Sequence, residues 1–312
     1  MSWEHGLDEE PITLRQLHAL LAISDAGSIS AAARELKVTQ PVLSRIIGQL
    51  ERSSGVSLVS RSARGTALTA AGQNLATRAR SISAELRRCH EDIRLMRGES
   101  SGRVSIACSP VPMMLVTPIA IRQFLRSFPQ AEVRVTELVY PKVVDAFRNQ
   151  RIDFAIGPVP RKGLGASFRV EPLFQVDLVV AAARDHPAAS ARTLSALRNH
   201  PWLIMGPDDG PGAVLGEIFA SHHIDAPHSQ VTLDTVWSAL EMIRRSGFVG
   251  FIPRPIAESA REQVRIIRVR EALPPLQISL IAETGTQLTS AARALISAVR
   301  ARSRQFDRRV RD

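Results

Sequence analysis

Apolar residues recur at helical spacing through the first fifty residues of the chain. The first amphipathic stretch ends at Gly27, and its apolar face consists of Leu14, Leu17, Leu20, Leu21 and Ile23. A short second helix follows, for which Ser28 or Ser30 is the expected N-cap and Leu36 the expected anchor in the core. Its small residues at 31–33 allow another helix to approach closely. The pattern therefore predicts two helices joined by a tight turn.

A third helix is predicted to begin after Thr39, whose hydroxyl is expected to accept a hydrogen bond from a first-turn amide. Pro41 fits that turn, because the amide hydrogen that proline lacks has no partner there. The inward face consists of Leu43, Ile46, Ile47 and Leu50, and the outward face of Gln40, Pro41, Ser44 and Arg45. Glutamine, serine and arginine pair with base edges, so the outward face is a candidate DNA-contacting surface. The alternative is a solvated polar face.

Three stretches of this segment resemble the LysR-type transcriptional regulators: LHAL at 17–20, SISAAAREL at 28–36 and TQPVLSRII at 39–47. The resemblance continues through LTAAG at 68–72 and implies a winged helix-turn-helix, with a two-stranded wing before a linker helix. One departure is Val59-Ser60, where the family usually has an aromatic residue before its arginine. Together with the outward face, the resemblance gives the candidate DNA-binding residues Ser28, Ser30, Gln40, Pro41, Ser44, Arg45, Arg52, Arg61 and Arg64.

From Thr69 to Arg97 no proline interrupts the chain, and apolar residues alternate in steps of four and three. This seam consists of Leu75, Ala79, Ile82, Leu86, Cys89, Ile93 and Met96. Such a helix measures about 40 Å, at about 1.5 Å per residue, and its seam requires a partner helix. We expect a homodimer that addresses both halves of a palindromic site, with packing on its own domain as the alternative. The resemblance implies the same dimer, often extended to a homotetramer.

Beyond residue 102 short apolar runs alternate with helical stretches, which indicates an α/β fold. The predicted strands are 104–108, 133–135, 154–157, 178–180, 202–205, 248–252 and 278–281. The resemblance implies a type 2 periplasmic-binding-protein-like domain of two α/β subdomains that hold an effector in the cleft between them. We expect the crossing strands near 174–178 and 277–283, and the last helix, 289–302, in the first subdomain.

The expected fold class is therefore α/β with an all-α winged helix-turn-helix N-terminal domain, a long linker helix and a C-terminal domain of two α/β subdomains. The corresponding ranges are 12–69 for the DNA-binding domain, 70–98 for the linker (dimerisation) helix and 99–312 for the effector-binding domain, in which subdomain I takes 99–175 and 280–312 and subdomain II takes 176–279.

Several short segments are expected to line the cleft. Ser109 follows a strand and opens a helix, so its hydroxyl and the following free amides can hold an anion, helped by the helix dipole. The expected effector is therefore a carboxylate, a sulfonate or a phosphate. In the alternative interpretation, Ser109 is only an N-cap and Asp208 only a turn residue. The candidate effector-binding residues are Ser109, Pro110, Val111, Leu138, Val139, Tyr140, Gly206, Pro207, Asp208 and Thr235.

Composition changes this picture little. A chain of 312 residues is longer than one hydrophobic core usually organises, so more than one domain is expected. Its 40 Lys+Arg against 30 Asp+Glu give a net charge of +10, which makes a polyanion a plausible partner. A second basic cluster at 300–311 is expected to be a frayed, solvated tail. Cys89 and Cys108 are expected to be small buried residues, with a redox switch as the alternative. No signal segment or membrane span is evident, so a cytoplasmic protein is expected.

Enzyme classes lack their sequence signatures. There is no nucleophile elbow, phosphate loop or dinucleotide fingerprint, and His222, His223 and His228 have no convincing fourth metal partner. We expect no metal and no cofactor. The predicted function is a transcription regulator whose partners are double-stranded promoter DNA, a small-molecule effector and RNA polymerase. The alternatives are a ligand-independent architectural DNA-binding protein and an α/β solute-binding protein.

Overall fold

The computed structural model describes residues 12–62, 65–97, 101–160, 162–206 and 212–311. The chain divides into two compact units. One extends to His90 and includes residues 148–150; the other contains residues 91–147 and 151–312. Each unit has its own hydrophobic core. Within the described ranges, no helix is both long enough and apolar enough to cross a membrane.

Three helices begin the first unit: α1 Leu14–Ala26, α2 Ile29–Glu35 and α3 Gln40–Ser54. Gly27 ends α1 with a φ of 66°, a left-handed conformation that glycine adopts without a Cβ clash. Ser28 is the N-cap of α2, and its hydroxyl accepts a hydrogen bond from the Ala31 amide at 3.1 Å. The predicted end of α1 and one of the two predicted caps of α2 are therefore confirmed.

The predicted inward face of α3 is also confirmed, since Leu43, Ile47 and Leu50 are buried and Ile46 is half-buried against the same core. Two smaller predictions are wrong. Thr39 is the N-cap of α3, but its hydroxyl makes no capping hydrogen bond. Leu36 is 37% exposed rather than anchored in the core, because it is the C-cap of α2 and lies beyond the buried positions of that helix, Ile29, Ala32 and Ala33.

Two antiparallel strands, β1 Val59–Ser62 and β2 Gly65–Leu68, follow α3 and form the wing that the resemblance implies. The first unit is thus helical apart from this wing. The Glu51 carboxylate, near the end of α3, accepts hydrogen bonds from the Leu58 amide at 2.8 Å, the Val59 amide at 3.1 Å and the Ser57 hydroxyl at 3.2 Å. This one carboxylate fixes the start of the wing against α3.

The long helix α4, Ala70–Met96, begins directly after the wing. The Thr69 hydroxyl accepts from the Gly72 amide at 3.0 Å. A Cβ at Gly72 would overlap the Leu58 carbonyl oxygen, so glycine is required where the helix passes the wing. Further along, Arg80 binds α1 through Asp25 at 2.5 Å and through the Ser24 hydroxyl at 3.0 Å. The first turns of α4 are therefore part of the first unit.

The apolar seam of α4 has a packed part and an exposed part. Leu75 packs against the core of the first unit and Ala79 is fully buried, whereas Ile82 and Ile93 are 44% and 49% exposed. Cys89 is exposed as well, so the expectation that it is a small buried residue is wrong for the single chain. Cys108 is buried, as expected.

The strands of the second unit follow in this order: β3 Ser101–Cys108, β4 Gln130–Thr136, β5 Phe154–Pro158, β6 Phe168–Val176, β7 Leu178–Ala183, β8 Trp202–Met205, β9 Ser229–Leu233, β10 Gly250–Pro253, β11 Val264–Ile267 and β12 Leu276–Glu283. One sheet has five strands in the order β4-β3-β5-β12-β6, and a second has three in the order β10-β7-β11. A parallel pair, β8 and β9, completes the described strands. All predicted strands are present. Only the end of β6 was expected, as the crossing strand near 174–178, and β9 and β11 were not predicted.

The helices of the second unit are α5 Pro110–Leu115, α6 Thr117–Ser127, α7 Lys142–Arg148, α8 Leu194–Leu197, α9 Ala213–Ser221, α10 Val236–Ser246, α11 Arg254–Ser259 and α12 Ser290–Arg311. The chain leaves the five-stranded sheet between Val176 and Leu178, within the predicted crossing. The strand by which it returns, β12, agrees within one residue with the crossing strand predicted near 277–283, and it pairs with β6 from its first residue.

The C-terminal basic cluster is not the frayed tail that the sequence suggested. Helix α12 packs on α6 and on β3 and β6 of the five-stranded sheet, and it continues to Arg311. Arg300 binds Glu171 through two nitrogens, at 2.5 and 2.9 Å, and this hydrogen bonding raises its pKa. Phe306 packs edge-on against Phe174 with ring centroids 5.0 Å apart. These contacts with β6 hold the helix in place.

Candidate DNA-contacting surface and ligand cavity

The N-terminal part of α3 presents a polar face. Gln40, Pro41 and Arg45 are exposed and Ser44 is half-buried. The same helix buries Leu43, Ile47 and Leu50 on its opposite side. Because the buried stripe fixes the rotation of the helix, it also fixes which four side chains face outward. The structure therefore places the four predicted residues of α3 together on one accessible surface.

The two predicted serines of α2 differ in what their hydroxyls do. The Ser28 hydroxyl is committed to capping α2. The Ser30 hydroxyl donates a hydrogen bond to Gln40 Oε1 at 3.1 Å, so Ser30 joins α2 to the first residue of α3. Arg52 is exposed in the last turn of α3. Arg61 belongs to β1, but its side chain lies outside the described residues, as does the whole of Arg64.

The second unit contains a cavity of about 220 Å³. It lies beside the loops that follow β3, β4 and β8 and the loop that precedes α10. Of the predicted effector-binding residues, eight line it, namely Ser109, Pro110, Val111, Leu138, Val139, Tyr140, Gly206 and Thr235. Pro207 and Asp208 lie outside the described residues. Segments that are far apart in the sequence thus meet around one space.

Most of the lining is apolar, and the sequence did not identify it. The additional apolar residues include Leu178, Leu203, Ile204, Met205, Val236, Phe251, Ile256 and Leu276. Several were recognised as strand residues, but nothing in a strand pattern says which buried side chain faces a cavity. The polar residues missed were Glu137, Lys142 and Asp234, each of which lies within two residues of a predicted residue.

Ser109 is the buried polar residue of this lining. Its side chain is only 3% exposed, and its hydroxyl makes no hydrogen bond to any described residue. It occupies the N-cap position of α5, as the alternative interpretation expected, but its hydroxyl makes no capping hydrogen bond. The expected row of free amides is wrong, because Pro110 and Pro112 have no amide hydrogen. Val111 is left as the first-turn donor beside the Ser109 hydroxyl.

An ion pair stands at the edge of the cavity. Lys142 Nζ lies 2.8 Å from Asp234 Oδ2, and both side chains are more than half exposed. Lys142 begins α7, whereas Asp234 precedes α10, so the pair connects segments ninety-two residues apart. Glu137 is a second acidic residue of the lining. The Lys162 ammonium lies over the Tyr140 ring, 5.9 Å from the ring centroid.

The thiol of Cys108, next to Ser109, has low reactivity. Cys108 is buried beside Ser109, and its Sγ lies 3.3 Å from Thr117 Oγ1. Burial raises the pKa of the Cys108 thiol to about 11, and the charge of Glu137 acts in the same direction. The thiol is therefore protonated at neutral pH, which leaves little of the reactive thiolate.

The histidines near the end of α9 do not form a cluster of ligands. His222 Nε2 donates to the Ala272 carbonyl at 2.9 Å. Within the described part of the chain, no three His, Cys, Asp or Glu residues are grouped so that they could hold a metal ion.

Two family models cover most of the sequence. Residues 14–73 match the model described as bacterial regulatory helix-turn-helix protein, lysR family, and residues 97–304 match the LysR substrate binding domain. The first match contains the helix-turn-helix and wing, and the second contains the whole cavity lining.

Individual proteins agree with these models. The HTH-type transcriptional regulator TdcA of Escherichia coli (strain K12) is 30% identical over 272 residues, which cover 87% of each chain. The HTH-type transcriptional regulator GbpR of Rhizobium radiobacter is 26% identical over 249 residues, covering 78% of this chain and 82% of its own. Both are described as regulators and not as enzymes, in agreement with the sequence analysis.

Solved structures show the same fold over nearly the whole length. The crystal structure of CbnR, a LysR family transcriptional regulator, superposes with a TM-score of 0.70 at 24% identity, covering 94% of this chain and 99% of CbnR. Full-length CbnR complexed with its target DNA gives a TM-score of 0.69 at 24% identity, covering 93% of this chain and 100% of that one. The chain is a member of the LysR family of DNA-binding transcriptional regulators.

Proposed function

We propose that this regulator contacts the base edges of promoter DNA through the start of α3 and responds to a small effector bound in the cavity of its second unit. The observation that carries the proposal is the exposed face of Gln40, Pro41 and Arg45 opposite the buried stripe of α3. Helix-turn-helix proteins insert this part of their second helix into the major groove. The solved DNA complex of the related CbnR supports the assignment.

Arg45 provides the test of this proposal. Its guanidinium is suited to bidentate contact with guanine, so Arg45→Ala should weaken specific binding by about 1–3 kcal/mol. Sites selected by the wild-type chain from random double-stranded DNA serve as the probe, and fluorescence anisotropy measures affinity. Arg15→Ala, which removes an exposed arginine of α1, is the matched control. If Arg45→Ala distinguishes selected from unrelated DNA as well as the wild type does, Arg45 does not contact a base.

The remaining candidates are assigned to the DNA backbone. Arg52 supplies positive charge in the last turn of α3, the proposed recognition helix, and Arg61 and Arg64 follow it in the sequence. The capped N-terminus of α2 at Ser28 presents backbone amides. The logarithm of the affinity falls linearly with the logarithm of the salt concentration. Removing one phosphate contact should make this slope less steep by about 0.9, with little change in sequence preference. A change of sequence preference without a change of slope would contradict this assignment.

A homodimer through α4 is supported by the exposed part of its seam. Ile82, Cys89 and Ile93 are exposed along one helical face, and a second copy of α4 would bury them. Ile82→Glu with Ile93→Glu should shift the sedimenting species towards monomer. Val56→Glu, an equally exposed residue outside α4, is the control. Sedimentation of the wild type also distinguishes the dimer from the homotetramer that the family resemblance implies.

The cavity supports a small and largely apolar effector with one polar end. A volume of about 220 Å³ exceeds the roughly 150 Å³ of an engineered cavity that holds benzene. The unpartnered Ser109 hydroxyl and the Val111 amide offer donors to one acceptor group. A thermal-shift screen of small aromatic and aliphatic carboxylates and sulfonates tests this proposal, with Ser109→Ala as the comparison. A hit that the variant loses would support the site, whereas the absence of hits would remove its support.

An anionic effector is supported by Lys142, although Asp234 already neutralises that ammonium. A carboxylate that binds in the cavity would compete with Asp234 for Lys142 and loosen a link between α7 and the segment before α10. Such competition would couple binding to the arrangement of the second unit, because the ligand would have different affinities for the paired and unpaired states. An effector-dependent contact with RNA polymerase completes the proposal, in a regulator that acts in the cytoplasm.

Two alternatives make different predictions. A ligand-independent architectural protein would bind DNA but give no hit in the thermal-shift screen. An α/β solute-binding protein would bind ligands but show no sequence-dependent affinity for DNA, and membership of the LysR family disfavours it.

A further inference from the structure

Gln40, the first residue of α3, has its side chain held by a hydrogen bond from a residue of α2. Ser30 lies in the first turn of α2, and its Oγ–H donates to Gln40 Oε1 at 3.1 Å. Both residues are exposed, so this bond lies on the outer surface of the helix-turn-helix and not in its core. It turns the oxygen of the Gln40 side-chain amide towards α2, and this is the amide that contacts the bases in the role proposed above for Gln40.

The backbone on both sides of this bond is fixed. Ala32 and Ala33 of α2 are buried in the core, and the turn between the helices is closed by a hydrogen bond from the Val38 amide to the Ala33 carbonyl at 2.9 Å. The two side chains therefore start from backbone positions that the fold has already set. A free glutamine side chain loses rotamer freedom when it binds. Ser30 restricts part of that freedom before DNA arrives.

A glutamine amide has two chemically different ends. Its oxygen accepts hydrogen bonds and its nitrogen donates two. The usual bidentate contact with adenine uses both ends, since Oε1 accepts from N6 and Nε2 donates to N7. Oε1 keeps a second lone pair, but its bond to Ser30 directs it towards α2, so Nε2 is the end of the amide that points away from α2 and is free to face the groove. Guanine offers two major-groove acceptors, N7 and O6, and thymine offers O4, whereas cytosine offers a donor.

We infer that Ser30 is a positioning residue that orients the Gln40 amide with its Nε2 donors towards the bases, and so sets the base preference at the position Gln40 contacts towards guanine or thymine and away from adenine and cytosine. Ser30 acts through Gln40 and needs no base contact of its own. This inference rests on the proposed reading role of Gln40.

The test uses the full chain and double-stranded DNA selected by the wild type from a random library. The base pair that Gln40 contacts is identified as the one whose preference disappears in Gln40→Ala. All four base pairs are then compared at that position by fluorescence anisotropy for the wild type, Ser30→Ala and Ser30→Thr. Ser30→Thr keeps the hydroxyl and is the matched control. The double variant Ser30→Ala/Gln40→Ala shows whether Ser30 acts through Gln40.

The wild type should prefer guanine or thymine. Ser30→Ala should raise the affinity for adenine relative to guanine about fivefold, the effect of roughly one net hydrogen bond, and Ser30→Thr should restore the wild-type order. The double variant should match Gln40→Ala. An unchanged base order in Ser30→Ala, beside a lost preference in Gln40→Ala, would overturn the inference and leave the proposed function intact. If Gln40→Ala changes no preference, the reading role of Gln40 fails and this inference fails with it.

Discussion

The Leu58 amide donates a hydrogen bond to the Glu51 carboxylate at 2.8 Å, and this contact joins the recognition helix to the wing. The same oxygen accepts from the Val59 amide at 3.1 Å. Glu51 lies in the last turns of α3, whereas both amides lie at the start of β1. The carboxylate therefore supplies the hydrogen-bond acceptor that these two backbone amides need. The wing and the recognition helix therefore share a fixed geometry.

Glu51→Ala should loosen this junction, because it leaves the Leu58 and Val59 amides without their acceptor. The expected loss is about 1–3 kcal/mol of stability in the first unit. Hydrogen exchange at the Leu58 and Val59 amides should become faster, while exchange in α1 changes less. Glu51→Gln keeps one acceptor oxygen and is the control, with a smaller effect. Equal exchange rates in the wild type and Glu51→Ala would mean that the carboxylate does not hold the wing.

Gly72→Ala should destabilise the first unit by at least about 2 kcal/mol, since the added Cβ would overlap the Leu58 carbonyl oxygen and force α4 away from the wing. Gly48→Ala is a matched control in α3, where a Cβ meets only the end of the Arg52 side chain at 3.5 Å. Alanine inside a helix is favoured over glycine by about 0.5–1 kcal/mol, so this control should be neutral or stabilising. Chemical denaturation followed by circular dichroism measures both variants. Equal destabilisation by both would contradict the close approach at Gly72.

The stability of the second unit should fall as the pH is lowered through the histidine range. Partial burial lowers the pKa of His200, and the charge of His186, whose ring centroid lies 5.1 Å away, lowers it further. A folded-state pKa below the unfolded value of about 6.5 means that the unfolded chain binds the proton more tightly. The contribution of neutral His200 to the stability of the second unit is therefore fully present above about pH 6.5 and is lost as the pH falls through the folded-state pKa of His200.

Melting temperatures of the wild type and His200→Asn between pH 8 and pH 5 test this dependence. The decrease towards acid should be smaller in His200→Asn than in the wild type. His228→Asn, which removes an exposed histidine, should retain the wild-type decrease. A pH profile for His200→Asn that superposes on that of the wild type would exclude the histidine pair as its source.

The Lys142–Asp234 pair gives opposite predictions for its two members. Asp234→Asn should free the Lys142 ammonium and increase the thermal shift given by any carboxylate hit, whereas Lys142→Met should decrease it. Both side chains are largely exposed, so the pair itself should contribute no more than about 1 kcal/mol to stability. The matching primary alcohol of each carboxylate hit is the control ligand. The same response to carboxylate and alcohol in both variants would refute a role for Lys142 in anion binding.

Local patterns in the sequence were sufficient to predict the outward face of α3, the candidate DNA-contacting surface. The spacing of Leu43, Ile47 and Leu50 determines the buried side of α3, and Gln40 and Arg45 follow on the other side. Gly27 predicts the end of α1, because its left-handed φ is a local property of one residue. Each of these predictions depends on positions within one helix and its caps.

Contacts between distant segments could not be predicted in this way. Lys142 and Asp234 meet only because two loops converge, and Arg300 finds Glu171 on a strand, β6, that the apolar pattern did not indicate. The C-terminal cluster was therefore taken as a solvated tail, although Phe306 packs against Phe174. Ser109 was found by its place between a strand and a helix, but the loss of amides at Pro110 and Pro112 could have been deduced from the sequence itself.

The central claim is that the outward face of α3 recognises base sequence. The most direct measurement is the ratio of affinities for selected and unrelated double-stranded DNA, compared between the wild type and Gln40→Ala/Ser44→Ala/Arg45→Ala at one fixed salt concentration. Specific binding normally exceeds nonspecific binding by about 10³-fold or more. The account predicts that the triple variant loses most of this ratio while its affinity for unrelated DNA changes little. A triple variant that folds normally and retains the wild-type ratio would contradict it.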